Sequence, residues 1–223
     1  MNRVPILLAS ASPRRRALLG ALLADHGLPL TVIAVDVDES IPPDEAPAAA
    51  AVRLALAKAM AVAASAGGHG AFVIGADTIV VARDGDGVGF GAGGDALGPA
   101  TDPPRHPTIL GKPRDAAEAA AFLRRLRGRR HDVITGIAVV DAASGARIAA
   151  CATTAVWMRS YTDGEIAAYV ASGDPLDKAG GYAIQHRGFH PVAALAGSEA
   201  NVIGLPVGLL GRLLGRTMGW IGQ

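Results

Sequence analysis

Val4-Pro5-Ile6-Leu7-Leu8-Ala9-Ser10-Ala11-Ser12-Pro13-Arg14-Arg15-Arg16 sets the fold class of this chain. Val4 to Ala9 is a short apolar run of strand length, bounded by residues that favour a turn. Ser12-Pro13 then places a hydroxyl at the N-cap of a helix and proline at its first position, where a missing N–H costs nothing. The spacing predicts a helix to about His26, stopped by Gly27. A buried strand leading straight into a helix is the opening of an α/β fold.

The same alternation continues outward. Leu30 to Val35 reads as a second strand, ending in the acidic segment Asp36-Val37-Asp38-Glu39. Ala46 to Ala66 is the longest helix candidate, and Ala71 to Ala82 a strand rich in Val and Ile. Asp84 to Pro107 is dense in Gly, Pro and Asp, lacks either periodicity, and reads as a long surface loop. Beyond it come a helix over Asp115–Leu126 and strands over His131–Asp141 and Ala146–Arg159, with 141–145 as the hairpin turn. A helix opened by the capping box Thr162…Glu165 follows, and a closing helix spans Gly204–Leu214. Early alternation followed by two consecutive strands predicts a mixed sheet.

The 223 residues are half hydrophobic and carry a formal net charge of +1. That balance excludes a general nucleic-acid or membrane-surface binder. With aromatic residues at 4%, the interior has to be built from Ala, Val, Leu and Ile. Cys151 is the only cysteine, so neither an internal disulfide nor a Cys-based zinc site can form, and its apolar surroundings predict a buried, inert thiol. The apolar stretch after Arg3 is shorter than a secretory signal core, and no segment approaches a membrane span, so the cytoplasm is the expected compartment.

Candidate chemistry gathers at four places. Ser10, Ser12, Arg14, Arg15 and Arg16 surround the N-terminus of the first helix, where backbone N–H groups and the dipole favour an anion. A capped helix with a solvated basic turn is the plain alternative, but cations there oppose the dipole, which favours phosphate. Glu39 and Asp77 both follow or interrupt apolar strands, and strand ends are where α/β sheets bind ligands. Asp77, inside Val73–Val81, needs a cation, a metal or a water-filled cleft, since an unpaired buried carboxylate costs several kcal/mol, roughly; a salt bridge is its structural alternative. Together the two carboxylates are suited to Mg2+ through oxygen ligands. Lys58 and Lys112, the latter in Leu110-Gly111-Lys112-Pro113, are candidate phosphate contacts or plain surface lysines. The segment Asp174–Gln185 presents paired acids, a lysine and a glutamine, and the Gln185 amide can both donate to and accept from a pyrimidine edge.

In combination these segments resemble the Maf family of nucleotide pyrophosphatases. The likeness covers nearly the whole chain: Ser10 to Arg15, Asp38-Glu39, Arg53 to Lys58, Gly75 to Val81, Leu110 to Pro113, Gly128 to Gly136 with His131 and Thr135, Asp174 to Gln185, and Asn201 to Pro206. The resemblance implies one domain over 1–223, an elongated mixed β-sheet flanked by helices, with two lobes around a central cleft (Maf/inosine triphosphatase-like). It also implies hydrolysis of a nucleoside triphosphate to monophosphate and pyrophosphate with Mg2+ or Mn2+. By position, Asp77 matches the family's proton acceptor, and Arg14, Thr78 and Gln185 match positions linked to substrate choice. Tyr182-Ala183-Ile184-Gln185 is similar to the branch acting on dTTP and UTP.

The chain departs from the family pattern in its long 84–107 loop, in His186 where glycine is common, and in Asp174 where glutamate is frequent. On this reading Glu39 and Asp77 hold the metal, Asp77 accepts the proton, and Ser10, Ser12, Arg14, Arg15, Lys58 and Lys112 contact the triphosphate. Alternatives are the same chemistry on 7-methyl-GTP or non-standard purine triphosphates, and a nucleotide-binding regulator of septum formation. Neither nucleic acid nor membrane is an expected partner; the apolar C-terminal stretch is suited to a homodimer.

Overall fold

The structure is a computed structural model that describes residues 4–24, 26–65, 70–82 and 107–218. The 84–107 loop falls, except for Pro107, outside the described residues. The element order is β1 (Ile6–Ala9), α1 (Pro13–Ala24), β2 (Leu30–Ile33), α2 (Pro47–Ala63), β3 (Phe72–Ala82), β4 (Thr108–Leu110), α3 (Ala116–Leu126), β5 (Arg130–Asp141), β6 (Arg147–Met158), α4 (Asp163–Ala171), two short 3-10 turns (Asp174–Asp177 and Ala179–Gly181), β7 (Val192–Ala196), α5 (Glu199–Ile203) and α6 (Val207–Met218). Among the described residues, seven strands form one sheet in the order β2-β1-β3-β5-β6-β7, with β4 paired to β3. β1 pairs parallel with β2 and β3, whereas β3–β4 and β6–β7 are antiparallel. The sheet is mixed, as the alternation predicted.

Two compact units share the chain, one of residues 4–78, 134–152 and 199–218 and the other of 79–82, 107–133 and 153–198, so that β3, β5 and β6 run from one to the other. In the first unit the pleat sorts side chains by parity. Ile6, Leu8, Ile74, Ala76, Ile137 and Val139 pack with Leu19 and Leu23 of α1 and Leu210, Leu213 and Leu214 of α6. Leu7, Ala9, Val73, Ala138 and Val140 pack instead with Ala55, Ala59 and Val62 of α2. Helix α2 lies unusually close: a Cβ on Gly75 would stand 2.0 Å from the Ala55 carbonyl oxygen, and one on Gly136 2.1 Å from that of Ala51. Alanines on the helix and glycines on β3 and β5 permit that approach, and it brings the next side chains of α2 and β3 within reach of each other.

In the second unit α3 packs against α4. The Tyr161 hydroxyl donates to the Leu123 carbonyl, and Phe189 stacks on Tyr169 with ring centroids 4.5 Å apart. The predicted Thr162…Glu165 cap forms, and Asp115 caps α3 as well. Asp115 accepts from the Glu118 N–H at 2.8 Å, and Thr162 and Glu165 make a complete capping box.

Two expectations need correction. The closing helix does not start at Gly204: a short helix ends at Ile203, and α6 begins at Val207 after Pro206, whose ring restrains Leu205 and whose carbonyl accepts from the Leu210 N–H at 2.9 Å. Of the apolar residues of α6, Leu210, Leu213 and Leu214 are buried in the core, and Val207 and Leu209 pack against it partly buried. Cys151 is half-buried rather than buried, because the first half of β6 is covered only in part. Among the described residues no helix is long and apolar enough to cross a membrane.

Candidate active site

The turn after β1 builds the first part of the site from its own hydroxyls. Ser10 Oγ accepts from the Ser12 N–H at 3.2 Å, and Ser12 Oγ accepts from the Arg15 N–H at 3.4 Å, so Ser12 caps α1 as predicted. Each hydroxyl keeps its own proton to donate. Arg15 folds back along the turn: its Nε donates to the Gly204 carbonyl at 2.8 Å, Nη2 to Thr78 Oγ1 at 2.9 Å, and Nη1 to Ser10 Oγ at 3.5 Å. Desolvation lowers the guanidinium pKa of this half-buried side chain, Asp77 and Glu39 oppose that shift, and neighbouring Arg14 adds to it.

The second part lies on the α2 side of the same strands. Lys58 is buried, and its Nζ donates to Asp77 Oδ1 at 2.5 Å and pairs with a Glu39 carboxylate oxygen at 2.6 Å. The structural alternative for Asp77, a salt bridge, is therefore realised, and the surface-lysine reading of Lys58 is overturned. Asp77 is buried, whereas Glu39 is half exposed on the segment after β2. That segment is clamped by Arg53 of α2, which donates to Glu45 at 2.7 and 2.8 Å and to the Ser40 carbonyl at 3.0 Å. Its hydrogen bonds hold the Glu45 carboxyl below its usual range. Asp38 is likewise lowered, first by the Ser40 N–H at 2.9 Å.

Among the described residues no group of three or more acids, histidines and cysteines is placed to hold a metal. What the fold supplies is two hard carboxylate donors converging on one cationic point. This donor set fits Mg2+ or Mn2+ completing its shell with water and phosphate oxygens rather than a fully protein-ligated ion.

Lys112 and Gln185 belong to the second unit, and both are exposed. The Gly180 N–H donates to the Gly111 carbonyl at 3.0 Å, which ties the Lys112 segment to the one leading to Gln185. Behind Gln185, Tyr182 is buried with His131, whose Nε2 lies 2.7 Å from the Tyr182 hydroxyl. Burial pushes the His131 pKa down to about 3, with Arg130 adding to the shift. The expected polar display of Asp174, Asp177 and Lys178 is largely self-satisfied: Lys178 donates to Asp174 Oδ1 at 3.0 Å and to Asp177 Oδ1 at 2.6 Å.

The structure thus brings Ser10, Ser12, Arg15 and Thr78 together, and Glu39, Lys58 and Asp77 together, all in one unit. Arg14 stands beside Arg15 in the first turn of α1. Sequence reasoning gave no role to Thr135, Asn201 or Gly204, which complete the Arg15 contacts. The signals were the family resemblance over Gly128 to Gly136 and Asn201 to Pro206, and a hydroxyl within the apolar strand Val133-Ile134-Thr135-Gly136-Ile137.

Comparison with known proteins places these features in context. A family model described as Maf-like protein matches residues 5–217. A dTTP/UTP pyrophosphatase of Syntrophotalea carbinolica is 43% identical over 202 residues, covering 91% of this chain and 80% of that protein. One of Myxococcus xanthus is 43% identical, covering 95% and 91%, and one of Moorella thermoacetica 45% identical, covering 91% and 89%.

Proposed function

This chain belongs to the Maf family, and from that premise we propose that it hydrolyses dTTP and UTP to the nucleoside monophosphate and pyrophosphate. The observation that carries the reading is the convergence of Glu39 and Asp77 on Lys58, next along β3 to Thr78, which takes Arg15 of the hydroxyl- and arginine-bearing turn after β1. Phosphoanhydride hydrolysis needs a base near the α phosphorus and cationic donors along the phosphates. Asp77 supplies the base. With one oxygen fixed by Lys58, it accepts the proton of the attacking water as the new P–O bond forms and the bond to the β-phosphate oxygen breaks. Ser10, Ser12 and the backbone N–H groups of the α1 N-terminus donate to phosphate oxygens. Arg14, Arg15 and Lys112 offset the charge that grows on departing pyrophosphate. Gln185 and Thr78 select the base.

Glu39 and Asp77 would hold Mg2+ or Mn2+. When bound, the ion supplies Lewis acidity to the phosphate oxygens. The cytoplasm, where dTTP and UTP are used, is the proposed compartment. Pyrophosphate release by purified protein with Mg2+ or Mn2+, measured across dTTP, UTP, CTP, 7-methyl-GTP, ITP and the common purine triphosphates, tests the reading. Turnover concentrated on dTTP and UTP supports it. Preference for 7-methyl-GTP or ITP keeps the chemistry and overturns the specificity, and no release from any nucleotide overturns the enzyme.

A further inference from the structure

The contacts of Arg15 close into a ring whose far side is Thr135. Arg15 Nη2 donates to Thr78 Oγ1 at 2.9 Å, Thr78 Oγ1 lies 3.0 Å from Thr135 Oγ1, and Thr135 Oγ1 donates to the Asn201 carbonyl at 2.9 Å. The same carbonyl accepts from the Gly204 N–H at 3.1 Å, and the Gly204 carbonyl accepts from Arg15 Nε at 2.8 Å. A carbonyl cannot donate, so the single hydroxyl proton of Thr135 goes to Asn201. Thr78 must therefore donate to Thr135, which leaves Thr78 Oγ1 an acceptor toward Arg15. Every proton in the ring is assigned by this one constraint.

We propose that Thr135 is a positioning residue for the nucleotide. It is fully buried on β5, six elements beyond the helix that carries Arg15, yet it orients both acceptors that grip the guanidinium. Through Thr78 it fixes the acceptor for Nη2, and through Asn201 it fixes the turn whose Gly204 carbonyl takes Nε. Two N–H bonds of the five on Arg15 are committed to this ring and a third points at Ser10. The remaining two then leave the guanidinium in a set direction, as a fork for phosphate oxygens. A guanidinium held on two sides before substrate arrives loses less freedom on binding than one that must be ordered by it. The inference rests on the proposed pyrophosphatase reading for its kinetic consequence, and on Arg15 geometry alone for its structural one.

The test uses Thr135→Val, which keeps the shape and removes the hydroxyl, beside Thr135→Ser, which restores it. Kinetically, Thr135→Val is expected to raise KM for dTTP about tenfold, the scale of a lost hydrogen bond to a charged group, while kcat falls less. Thr135→Ser should stay within about twofold of wild type. Independently of turnover, nuclear magnetic resonance of the Arg15 Nε–H should show slow solvent exchange in the wild type and in Thr135→Ser, and exchange at least about tenfold faster in Thr135→Val. If Thr135→Val does not fold, Thr135→Ala takes its place with the same two readouts. A Thr135→Val protein with lower Tm but unchanged KM and an equally protected Nε–H overturns the proposal, as does failure of Thr135→Ser to restore either. If the wild type releases no pyrophosphate, the functional reading fails, and the exchange measurement still decides the role of Thr135.

Discussion

Lys58 and Lys178 are both buried cations flanked by two carboxylates, yet their partners come from very different distances along the chain. Lys178 reaches Asp174 and Asp177 on its own turn and also takes the Asp174 carbonyl. Desolvation works to raise the Asp174 carboxyl, but the Tyr169 hydroxyl and Lys178 outweigh it, so it sits below its usual range. Such a cluster forms whenever the turn forms, and it staples that turn. Lys58 instead joins Glu39, from the segment after β2, to Asp77 in the middle of β3. Nothing local requires those acids to meet. They do so because α2 lies flat on Gly75 and Gly136. Like charges held together by remote parts of a fold, when a salt bridge with one partner would suffice, point to chemistry rather than to stability.

The sharpest way to break that distinction is Asp77→Asn, which keeps the size of the side chain and removes its basicity. We expect pyrophosphate release to fall by at least about a hundredfold, the lower end for loss of a general base, with circular dichroism unchanged. Near-normal turnover would reduce the Lys58 cluster to a staple like the other.

Removing each lysine separates the two clusters further. Lys58→Met leaves the buried Asp77 without its ammonium and should cost about 2–3 kcal/mol in urea unfolding, discounted because Glu39 is half exposed, together with most of the activity. Lys178→Met should cost about 1 kcal/mol, its acids being more exposed, and leave kcat for dTTP within about twofold, since no step of the mechanism uses it. Equal losses of activity in the two variants would refute the comparison.

His131 stands between these cases, buried and non-local but neutral. Its pKa is about 3 in the folded protein against roughly 6.5 in an unfolded chain. The unfolded state therefore binds the extra proton between those values, and stability is full above about 6.5 and is lost as pH falls toward 3. His131→Phe should flatten the slope of unfolding free energy against pH in that window. An unchanged slope would show that His131 titrates normally.

The smallest effect belongs to the most local device, the Thr162–Glu165 capping box. The Thr162 N–H and then Arg159 hold the Glu165 carboxyl at about 2, so its contribution is present above the unfolded value of roughly 4.3 and lost as pH falls through about 2. Glu165→Gln should lower Tm slightly at pH 7, with the gap to wild type closing by pH 2.

Much of the architecture was legible because its causes are local. Ser12, Asp115 and Thr162 cap the helices where their side chains lie three residues from the orphan N–H groups they satisfy. The strands of apolar residues were found for the same reason. β4, of three residues, and β7, with a half-buried Val-Ala-Ala-Leu-Ala pattern, carry too little periodicity to be read. The break between α5 and α6 was hidden because Leu205 and Val207 continue an apolar pattern across Pro206. At the site, residue types were readable and partners were not. Asp77 announced itself as a carboxylate in an apolar strand, but the sequence left salt bridge and metal ligand as rivals, and the structure shows one lysine touching both acids.

What the sequence determined by itself was the class of fold and the kinds of groups available: a strand running into a capped basic helix, acids at strand ends, and a glutamine-bearing turn, all set by interactions within a few residues. The tertiary structure alone decided that Lys58 is buried between Glu39 and Asp77, and that Thr135 closes the ring around Arg15. Those outcomes depend on how closely α2 settles onto β3 and β5 and on where the turn before α6 meets α1. Such distances are fixed by packing between elements far apart in the chain, which no local pattern encodes.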